Sequence, residues 1–417
     1  MAFISAVKST FLLWVLWVSA CGNPSKQKNT VTEQAPEKIN ADSIQEIVVA
    51  ANRTTQYIPL LREKKVGVVA NQTSVIFKGE AEEPRPHIHL IDSLLVLGVN
   101  IGKVFAPEHG FRGKADAGEK VSDGTDTKTG LPIISLYGTN RKPTKEQLKD
   151  LDLVLFDIQD VGVRFYTYIA TLQLVMEACA ENGIPIVVLD RPNPNAHYVD
   201  GPTMEKAHTG FLGMTEIPLV YGMTIGEYAT MINGEGWLEG GNKADLTVVT
   251  LENWDHNSDY SLPIRPSPNL PDDVSINLYP SLGLFEGTNI NAGRGTEFQF
   301  QRYGAPFLTP EKYDFNYIPT PNFGSKNPKH QGETCYGKDL SQHPKMNKVS
   351  LEWVIDAYRN AKDPGKMFNT EGFTKHAGTE KLQKQIEAGL SEEAIKATWQ
   401  NDLNRFKKLR EKYLLYD

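Results

Sequence analysis

The sequence of 417 residues has few cysteines and lacks the short motifs of several large enzyme classes. Its three cysteines, Cys21, Cys179 and Cys335, lie far apart, and no CxxC pair occurs. Neither a disulfide framework nor a zinc site is therefore indicated. No GxGxxG follows the first predicted strand, and both GxxxxGK(S/T) and GxSxG are missing. These absences argue against nucleotide chemistry and against a serine-hydrolase nucleophile elbow.

An excess of basic charge is also missing. The formal net charge is -7, whereas nucleic-acid-binding proteins usually carry a basic face. The pair His87 and His89 has no carboxylate at metal-ligand spacing, and we interpret both as exposed loop residues before a helix. The sequence thus predicts no nucleic-acid partner, no nucleotide, no metal and no cofactor.

One long apolar run is present, at residues 11–18 (FLLWVLWV), and it is too short to span a bilayer comfortably. Lys8 precedes it, and Val18-Ser19-Ala20-Cys21 follows as a bacterial lipobox, so we predict a signal peptide over residues 1–21 and lipidation at Cys21. Residues 22–45 are polar and predict a disordered tether. We expect an exported protein, lipid-anchored at the periplasmic side of a bacterial membrane or at the cell surface; a plain transmembrane anchor is the alternative.

The remaining chain alternates short apolar runs with helical patterns, which predicts an α/β fold with a mostly parallel sheet covered on both faces. A proline-rich stretch at residues 265–272 separates this region from a less regular one. The predicted strands are 66–70, 101–106, 131–136, 153–157, 185–189 and 246–251. The predicted helices are 91–97, 145–149, 167–182 (ending at Gly183), 224–233, 350–359, 379–388 and one long helix over 393–413.

Polar side chains follow the first five predicted strands, at the edge where open α/β sheets bind ligands. Each one has a simpler interpretation as a turn former or helix cap, as for Asp157 and Asp190. Their convergence at one edge favours a binding site. The segments are Asn71-Gln72-Thr73, residues 107–113, Tyr137-Gly138, residues 157–168 and residues 190–194.

Carboxylates, arginines, amides and aromatic rings are the side chains of a sugar site. Glycoside hydrolysis commonly uses two carboxylates, or one carboxylate that orients the substrate's own 2-acetamido group. An arginine can bind an acidic sugar through a bidentate pair. These residue types do not by themselves distinguish muramic acid from another acidic sugar.

The motifs resemble those of the exo-β-N-acetylmuramidase (NamZ) family over about residues 66–416. The resemblance implies a Rossmann-like catalytic domain (46–265), a smaller α+β domain (266–417) and an active site in the cleft between them. It also implies exo-acting release of N-acetylmuramic acid from the non-reducing end of peptidoglycan fragments. The matching segments are Asn71-Gln72-Thr73, residues 107–113, 156–168, 189–194, 268–271, 279–280, 285–289, 293–296, Phe298, residues 304–306, Gly332, Cys335 and residues 413–416.

Carried over residue by residue, the resemblance makes Glu108 of the PEHG motif the first catalytic carboxylate. Glu286 of the EGTN motif is the leading second carboxylate, although it also has an interpretation as a turn partner of Thr288. Asp160 and Glu297 are alternatives. Arg164, Arg191 and Arg294 are candidates for binding the lactyl carboxylate. The full substrate-binding set is Asn71, Gln72, His109, Arg112, Tyr137, Arg164, Tyr166, Tyr168, Arg191, Asn193, Asn289, Arg294 and Glu297.

Two other functional classes stay open at this stage. One is a non-catalytic lipoprotein that binds muropeptides on the same scaffold. The other is an enzyme that transfers phosphate or uses a sugar nucleotide, for which no phosphate-binding loop is found in the sequence.

Overall fold

The computed structural model describes residues 45–79, 84–112 and 123–417. The predicted signal peptide, Cys21, nearly all of the predicted tether and Gly113 lie outside these residues. Strands within the described residues are β1 (Val66–Ala70), β2 (Val75–Phe77), β3 (His87–His89), β4 (Ile101–Ala106), β5 (Gly124–Thr125), β6 (Pro132–Ser135), β7 (Leu153–Asp157), β8 (Ile186–Leu189), β9 (Leu246–Val249), β10 (Arg302–Ala305), β11 (Phe315–Tyr317) and β12 (Cys335–Asp339).

A seven-stranded sheet has the order β5-β6-β4-β1-β7-β8-β9. Every pair in it is parallel except the β5–β6 pair at one edge. Counted along the chain, the six parallel strands follow the order 3-2-1-4-5-6 of a Rossmann-like sheet. The predicted α/β class with a mostly parallel sheet is confirmed.

Alternate residues of the central strands enter two different hydrophobic cores. In β7, Leu153 and Leu155 pack into one core, whereas Val154 and Phe156 pack into the other. Successive side chains of a strand point to opposite faces, so both faces of this sheet are covered. That arrangement explains why the strand sequences are continuously apolar rather than alternating.

The predicted helices are found within a few residues of their expected ends, with one exception given below. The helix Tyr168–Asn182 is capped by Gly183, whose φ of +65° is the left-handed conformation that glycine adopts most readily. The helices within the described residues are α1 (Thr54–Leu61), α2 (Leu90–Val96), α3 (Lys145–Leu148), α4 (Tyr168–Asn182), α5 (Ile225–Gly234), α6 (Asp273–Leu282), α7 (Glu352–Asn360), α8 (Thr370–Ala377), α9 (Lys381–Glu387), α10 (Glu392–Ala397) and α11 (Gln400–Arg410).

The single long helix predicted over residues 393–413 is wrong. α10 ends at Ala397 and α11 begins at Gln400, with Trp399 in a non-helical conformation at φ −108° and ψ 1°. Trp399 is 5% exposed in the main core. Both short helices place apolar residues in that core, and the helical spacing of the sequence alone does not reveal the break between them.

The interpretation of His87 and His89 as exposed loop residues is also wrong in part. Both lie in β3, which pairs antiparallel with β2, and only His87 is exposed. His89 accepts a hydrogen bond from the Ile91 backbone N–H at 3.3 Å as the N-cap of α2, while its Nε2 lies 2.9 Å from the Asn71 carbonyl. Its ring therefore joins a helix start to the loop after β1.

In the second half of the chain, β10, β12 and β11 form a three-stranded antiparallel sheet. By contacts, residues 46–417 form one compact unit. The division into domains at residue 265 stays a prediction. Within the described part of the chain, no helix is both long and apolar enough to cross a membrane.

Candidate active site

A cavity of about 770 Å³ lies where the loops after β4, β6 and β7 meet residues from the second half of the chain. Its walls include Glu108 after β4, Tyr137 after β6 and Thr167 after β7. Residues of α6, of the 3-10 helix Gly283–Gly287 and of α8 complete the walls. A volume of this size suits a small ligand rather than a water molecule.

Glu108 lies in a tight turn directly after β4. His109 adopts a φ of +68° and Gly110 a φ of +76°, and the Gly110 N–H donates to the Pro107 carbonyl at 3.0 Å. Non-glycine residues rarely adopt the left-handed region, and such strain concentrates at functional sites. His109 Nε2 lies 3.1 Å from Ser267 Oγ, which connects the turn to the other wall.

Two hydroxyl groups hold the Glu108 carboxylate. Tyr137 donates to Oε1 at 2.9 Å and Thr167 donates to Oε2 at 2.9 Å. Because burial and the nearby Glu108 charge both disfavour the phenolate, the pKa of Tyr137 is raised well above its usual range, and Tyr137 stays a donor. Glu108 therefore has a fixed orientation and lies partly exposed in the cavity wall.

The second carboxylate in the wall, Glu286, belongs to a strong ion pair. Arg294 donates through Nε to Oε1 at 3.1 Å and approaches Oε2 through Nη2 at 3.0 Å. Burial opposes ionisation, but the charges of Arg294 and Lys329 outweigh it and lower the pKa of Glu286 to about 2. Glu286 is thus a carboxylate at all physiological pH values. Among the described residues that line the cavity, Glu108 and Glu286 are the acidic ones.

Lys329 supports this pair from behind. Its Nζ donates to the carbonyl oxygens of Phe285, Glu286, Thr288 and Ile290 at 2.7–3.3 Å. The ammonium group fixes the chain around Glu286 and adds positive charge beside it.

Aromatic rings form much of the remaining wall. Tyr279 packs edge-to-face against Phe165 at 5.1 Å, Phe300 at 4.7 Å and Tyr166 at 6.1 Å between centroids. Phe165 also contacts the His376 ring at 5.3 Å. Such a cluster offers apolar ring faces to a pyranose, with the polar groups described above beside it.

The structure brings together six of the residues predicted from the sequence. They come from widely separated positions and share the cavity wall. They are Glu108, His109, Tyr137, Tyr166, Glu286 and Arg294.

Asp160, predicted as an alternative catalytic carboxylate, does not line the cavity. It is 3% exposed, accepts a hydrogen bond from the Gly162 N–H at 2.7 Å and is bonded by the Tyr221 hydroxyl. Burial raises its pKa to about 6 in spite of these donors. In this structure Asp160 fixes the turn that leads to Thr167.

Two of the three arginines predicted to bind a lactyl carboxylate are also buried outside the cavity. Arg191 binds both oxygens of Asp157, at 2.6 and 2.8 Å. Arg164 donates to four backbone carbonyls, those of Pro202, Ile217, His376 and Ala377, at 2.7–3.0 Å. Both guanidinium groups are bound within the protein and stabilise the scaffold. Neither one lines the cavity.

The other predicted substrate-binding residues do not line the cavity. Tyr168 donates to the Glu108 carbonyl at 3.4 Å, and Gln72 donates to the Pro266 carbonyl at 3.1 Å. Arg112 pairs with Asp126 at 2.7 Å. Asn71 Oδ1 accepts a hydrogen bond from the Thr73 N–H at 2.8 Å. Asn193 donates to the Met223 carbonyl at 2.8 Å, and Asn289 donates to the Lys366 carbonyl at 2.6 Å. Glu297 is exposed.

The sequence interpretation missed several residues of the wall. Thr167 and Asn269 lie inside segments that carry the family resemblance, so their motifs offered a signal. Asn269 donates to the Gly324 carbonyl at 2.6 Å, which leaves its Oδ1 buried without a partner among the described residues. Arg141, Phe211 and Lys329 lie in loops with no motif, and only the folded chain places them at the cavity.

No group of three or more histidine, cysteine, aspartate or glutamate side chains at metal-binding distances occurs among the described residues. The absence of a metal requirement stays a prediction from the motifs.

Comparison with known proteins agrees with this architecture. The chain is 39% identical to the peptidoglycan β-N-acetylmuramidase NamZ of Bacillus subtilis (strain 168), over 86% of this chain and 89% of that protein. Two crystal structures of DUF1343 family proteins from Bacteroides fragilis NCTC 9343 are similar. Their TM-scores are 0.80 and 0.75, at 41% and 30% identity, each covering 89% of this chain and 99% of the other.

Two family models match consecutive parts of the chain. The N-terminal model of exo-β-N-acetylmuramidase NamZ matches residues 66–274, and the C-terminal model matches residues 277–416. Together they cover most of the chain, so this protein belongs to the exo-β-N-acetylmuramidase NamZ family.

Proposed function

We propose that this protein is a glycoside hydrolase that releases N-acetylmuramic acid from the non-reducing end of peptidoglycan fragments during cell-wall turnover. Its family membership and the name of the Bacillus subtilis relative support the reaction and the substrate. The observation that carries the proposal is that Glu108 and Glu286 both line the wall of one cavity.

The two carboxylates are held in different electrostatic environments, which suits two different tasks. Glu286 stays ionised beside Arg294 and therefore cannot donate a proton. A fixed negative charge stabilises the positive, oxocarbenium-like transition state of glycoside hydrolysis. We assign the proton transfer to Glu108, whose carboxylate accepts hydrogen bonds from the Tyr137 and Thr167 hydroxyl groups.

In the reaction the bond between the anomeric carbon and the glycosidic oxygen breaks. Glu108 protonates the leaving oxygen, the oxygen of a water molecule bonds to the anomeric carbon as a hydroxyl group, and the proton that this water loses restores the protonated Glu108. In a substrate-assisted route the 2-acetamido oxygen attacks first, and a carboxylate orients that group.

The test is hydrolysis of a defined disaccharide with N-acetylmuramic acid at its non-reducing end, with product identification. Glu108→Gln and Glu286→Gln should each lower kcat by at least about a hundredfold, the usual scale of acid–base catalysis, with substrate binding largely kept. Glu311→Gln is the matched control, since Glu311 is exposed and outside the cavity wall. An aryl substrate in which sulfur replaces the 2-acetamido oxygen separates direct acid–base hydrolysis from the substrate-assisted route. Only the substrate-assisted route depends on attack by that oxygen.

Wild-type protein that binds the disaccharide without cleaving it would support a non-catalytic muropeptide-binding protein instead. Near-wild-type turnover in folded Glu108→Gln would remove the leading assignment.

We also propose that a lipid anchor at Cys21 holds the enzyme at the membrane. The lipobox Val18-Ser19-Ala20-Cys21 and the polar stretch after it support this proposal. Two or more acyl chains are needed for stable anchoring, as in bacterial lipoproteins.

A further inference from the structure

A muramic acid carries a lactyl carboxylate, and a site selective for it needs a cation that is not neutralised by the protein itself. The arginine and lysine side chains in the cavity wall are Arg141, Arg294, Lys329 and Lys375. The contacts of each one decide which of them is available to a ligand.

Three of these cations already have partners. Arg294 is bound to Glu286, and Lys329 is surrounded by four carbonyl oxygens. Lys375 pairs with Glu371 at 2.6 Å. A ligand carboxylate would have to compete with an existing anion or carbonyl at each of them.

Arg141 differs from the other three. Its guanidinium lies over the Phe211 ring, 4.1 Å from the centroid, and makes no hydrogen bond or ion pair with any residue that the structure describes. A guanidinium on an aromatic face keeps its N–H edge available and is held in place by the ring. Its five donors match a carboxylate in bidentate geometry.

The support beneath Arg141 is rigid. Phe211 stands in a turn that Gly210 and Gly213 close with two backbone hydrogen bonds of 3.0 and 2.9 Å. Gly213 packs so closely that a Cβ there would lie 2.5 Å from Met204 and 3.0 Å from Arg164. The buried Arg164 therefore fixes the position of the turn.

A continuous set of contacts joins Arg141 to the catalytic carboxylate. The rings of Phe211 and Tyr137 are 6.4 Å apart, and the Tyr137 hydroxyl donates to Glu108 at 2.9 Å. In N-acetylmuramic acid the lactyl ether is attached at C3, two ring positions from the glycosidic bond at C1, and its carboxylate extends away from the ring. A sugar with its C1 at Glu108 can thus present its carboxylate to a cation on this side of the cavity.

We propose that Arg141, supported by Phe211, is the residue that binds the lactyl carboxylate and gives selectivity for muramic acid. This assignment rests on the proposed function and replaces Arg164, Arg191 and Arg294, which are bound within the protein.

The test compares two aryl β-glycosides, one of N-acetylmuramic acid and one of its lactyl carboxamide, which has nearly the same shape without the charge. Wild-type enzyme should prefer the acid by at least about tenfold in kcat/KM, as expected for a hydrogen-bonded charge. Arg141→Met should bring the ratio close to one by losing activity on the acid only, and Arg141→Lys should give an intermediate ratio. If the carboxamide is cleaved too slowly to measure, the same ratio is taken from inhibition by the two free sugars.

Lys375→Met is the matched control and should keep the wild-type ratio, because Lys375 is paired with Glu371. Thermal unfolding of each variant verifies that it is folded, as expected for the exposed Arg141. An unchanged ratio in Arg141→Met, or a ratio lost in Lys375→Met, overturns this assignment while the hydrolase proposal stands. Wild-type enzyme that cleaves neither glycoside overturns both.

Discussion

Arg294 contacts both carboxylate oxygens of Glu286, through Nε at 3.1 Å and through Nη2 at 3.0 Å. The two residues are eight positions apart, and the pair faces the cavity with side chains about one fifth to one quarter exposed (21% and 24%). A carboxylate that is bound at both oxygens by one guanidinium group is fixed in both charge and orientation. The cavity wall therefore contains Glu286, whose negative charge is constant, and Glu108, whose carboxylate accepts hydrogen bonds from two hydroxyl groups.

This pair predicts the stability of the protein in acid. Because the pKa of Glu286 is lowered from 4.5 to about 2, its ionised form stabilises the fold above about pH 4.5, and this contribution is lost as the pH falls towards 2. Arg294→Met raises that pKa, so the loss should begin at a higher pH. Urea unfolding measured from pH 2 to pH 7 tests this difference.

The control is Arg405→Met, which removes an exposed pair with Asp402 and should leave the pH dependence unchanged. Parallel stability curves for Arg294→Met and wild type would contradict the role given to Arg294.

The hydrogen bond from Tyr137 to Glu108 predicts that Tyr137→Phe lowers the rate of hydrolysis without unfolding the protein. Tyr137→Phe removes one of the two hydroxyl donors to Glu108 and should lower kcat by about tenfold or more, the scale of a hydrogen bond to a charged group. KM should change little. Steady-state kinetics on an aryl muramic substrate measures both.

Tyr336→Phe serves for comparison, since the Tyr336 hydroxyl makes no hydrogen bond with the described residues and lies outside the cavity wall. A Tyr137→Phe enzyme with full kcat would show that Thr167 alone orients Glu108.

The buried pair of Arg191 and Asp157 predicts a large stability effect. Their side chains are 2% and 0% exposed, so Arg191→Met leaves a buried carboxylate without its partner. The free energy of unfolding should fall by about 3–5 kcal/mol. Urea denaturation at neutral pH measures this, and a loss below about 1 kcal/mol would mean that Asp157 finds another partner.

Cys21→Ser tests the lipid anchor. Without the thiol no acyl chain can be attached, so the protein should stay unprocessed or move to the soluble fraction. Fractionation of cells followed by mass determination gives the answer. A serine variant that is processed and membrane-bound like wild type would exclude a lipobox.

Much of the candidate site was predictable because strand ends are predictable. β1, β4 and β7 were predicted residue for residue from their apolar runs, and Glu108 and Tyr137 follow β4 and β6 directly. The carboxyl ends of parallel strands share one edge of a sheet, so these side chains converge whatever the details of the loops.

The sequence did not distinguish ligand-facing polar residues from those that hold the loops. Arg191, Asn193 and Asp160 follow strand ends as Glu108 does, yet they point inward. A buried loop must satisfy its backbone groups, and side chains of the same types do so. Arg164 is the extreme case, because it binds four carbonyls from two distant segments.

By itself, then, the sequence determined the parallel sheet, the edge where the cavity lies, the family and the position of Glu108, the first candidate carboxylate, at that edge. These depend on local apolar runs and on motifs next to strand ends. The tertiary structure alone decided that Arg294 belongs to Glu286, that α10 and α11 are separate, and that Arg141 and Phe211 reach the cavity. Those outcomes depend on contacts between residues far apart in the chain, which local patterns do not encode.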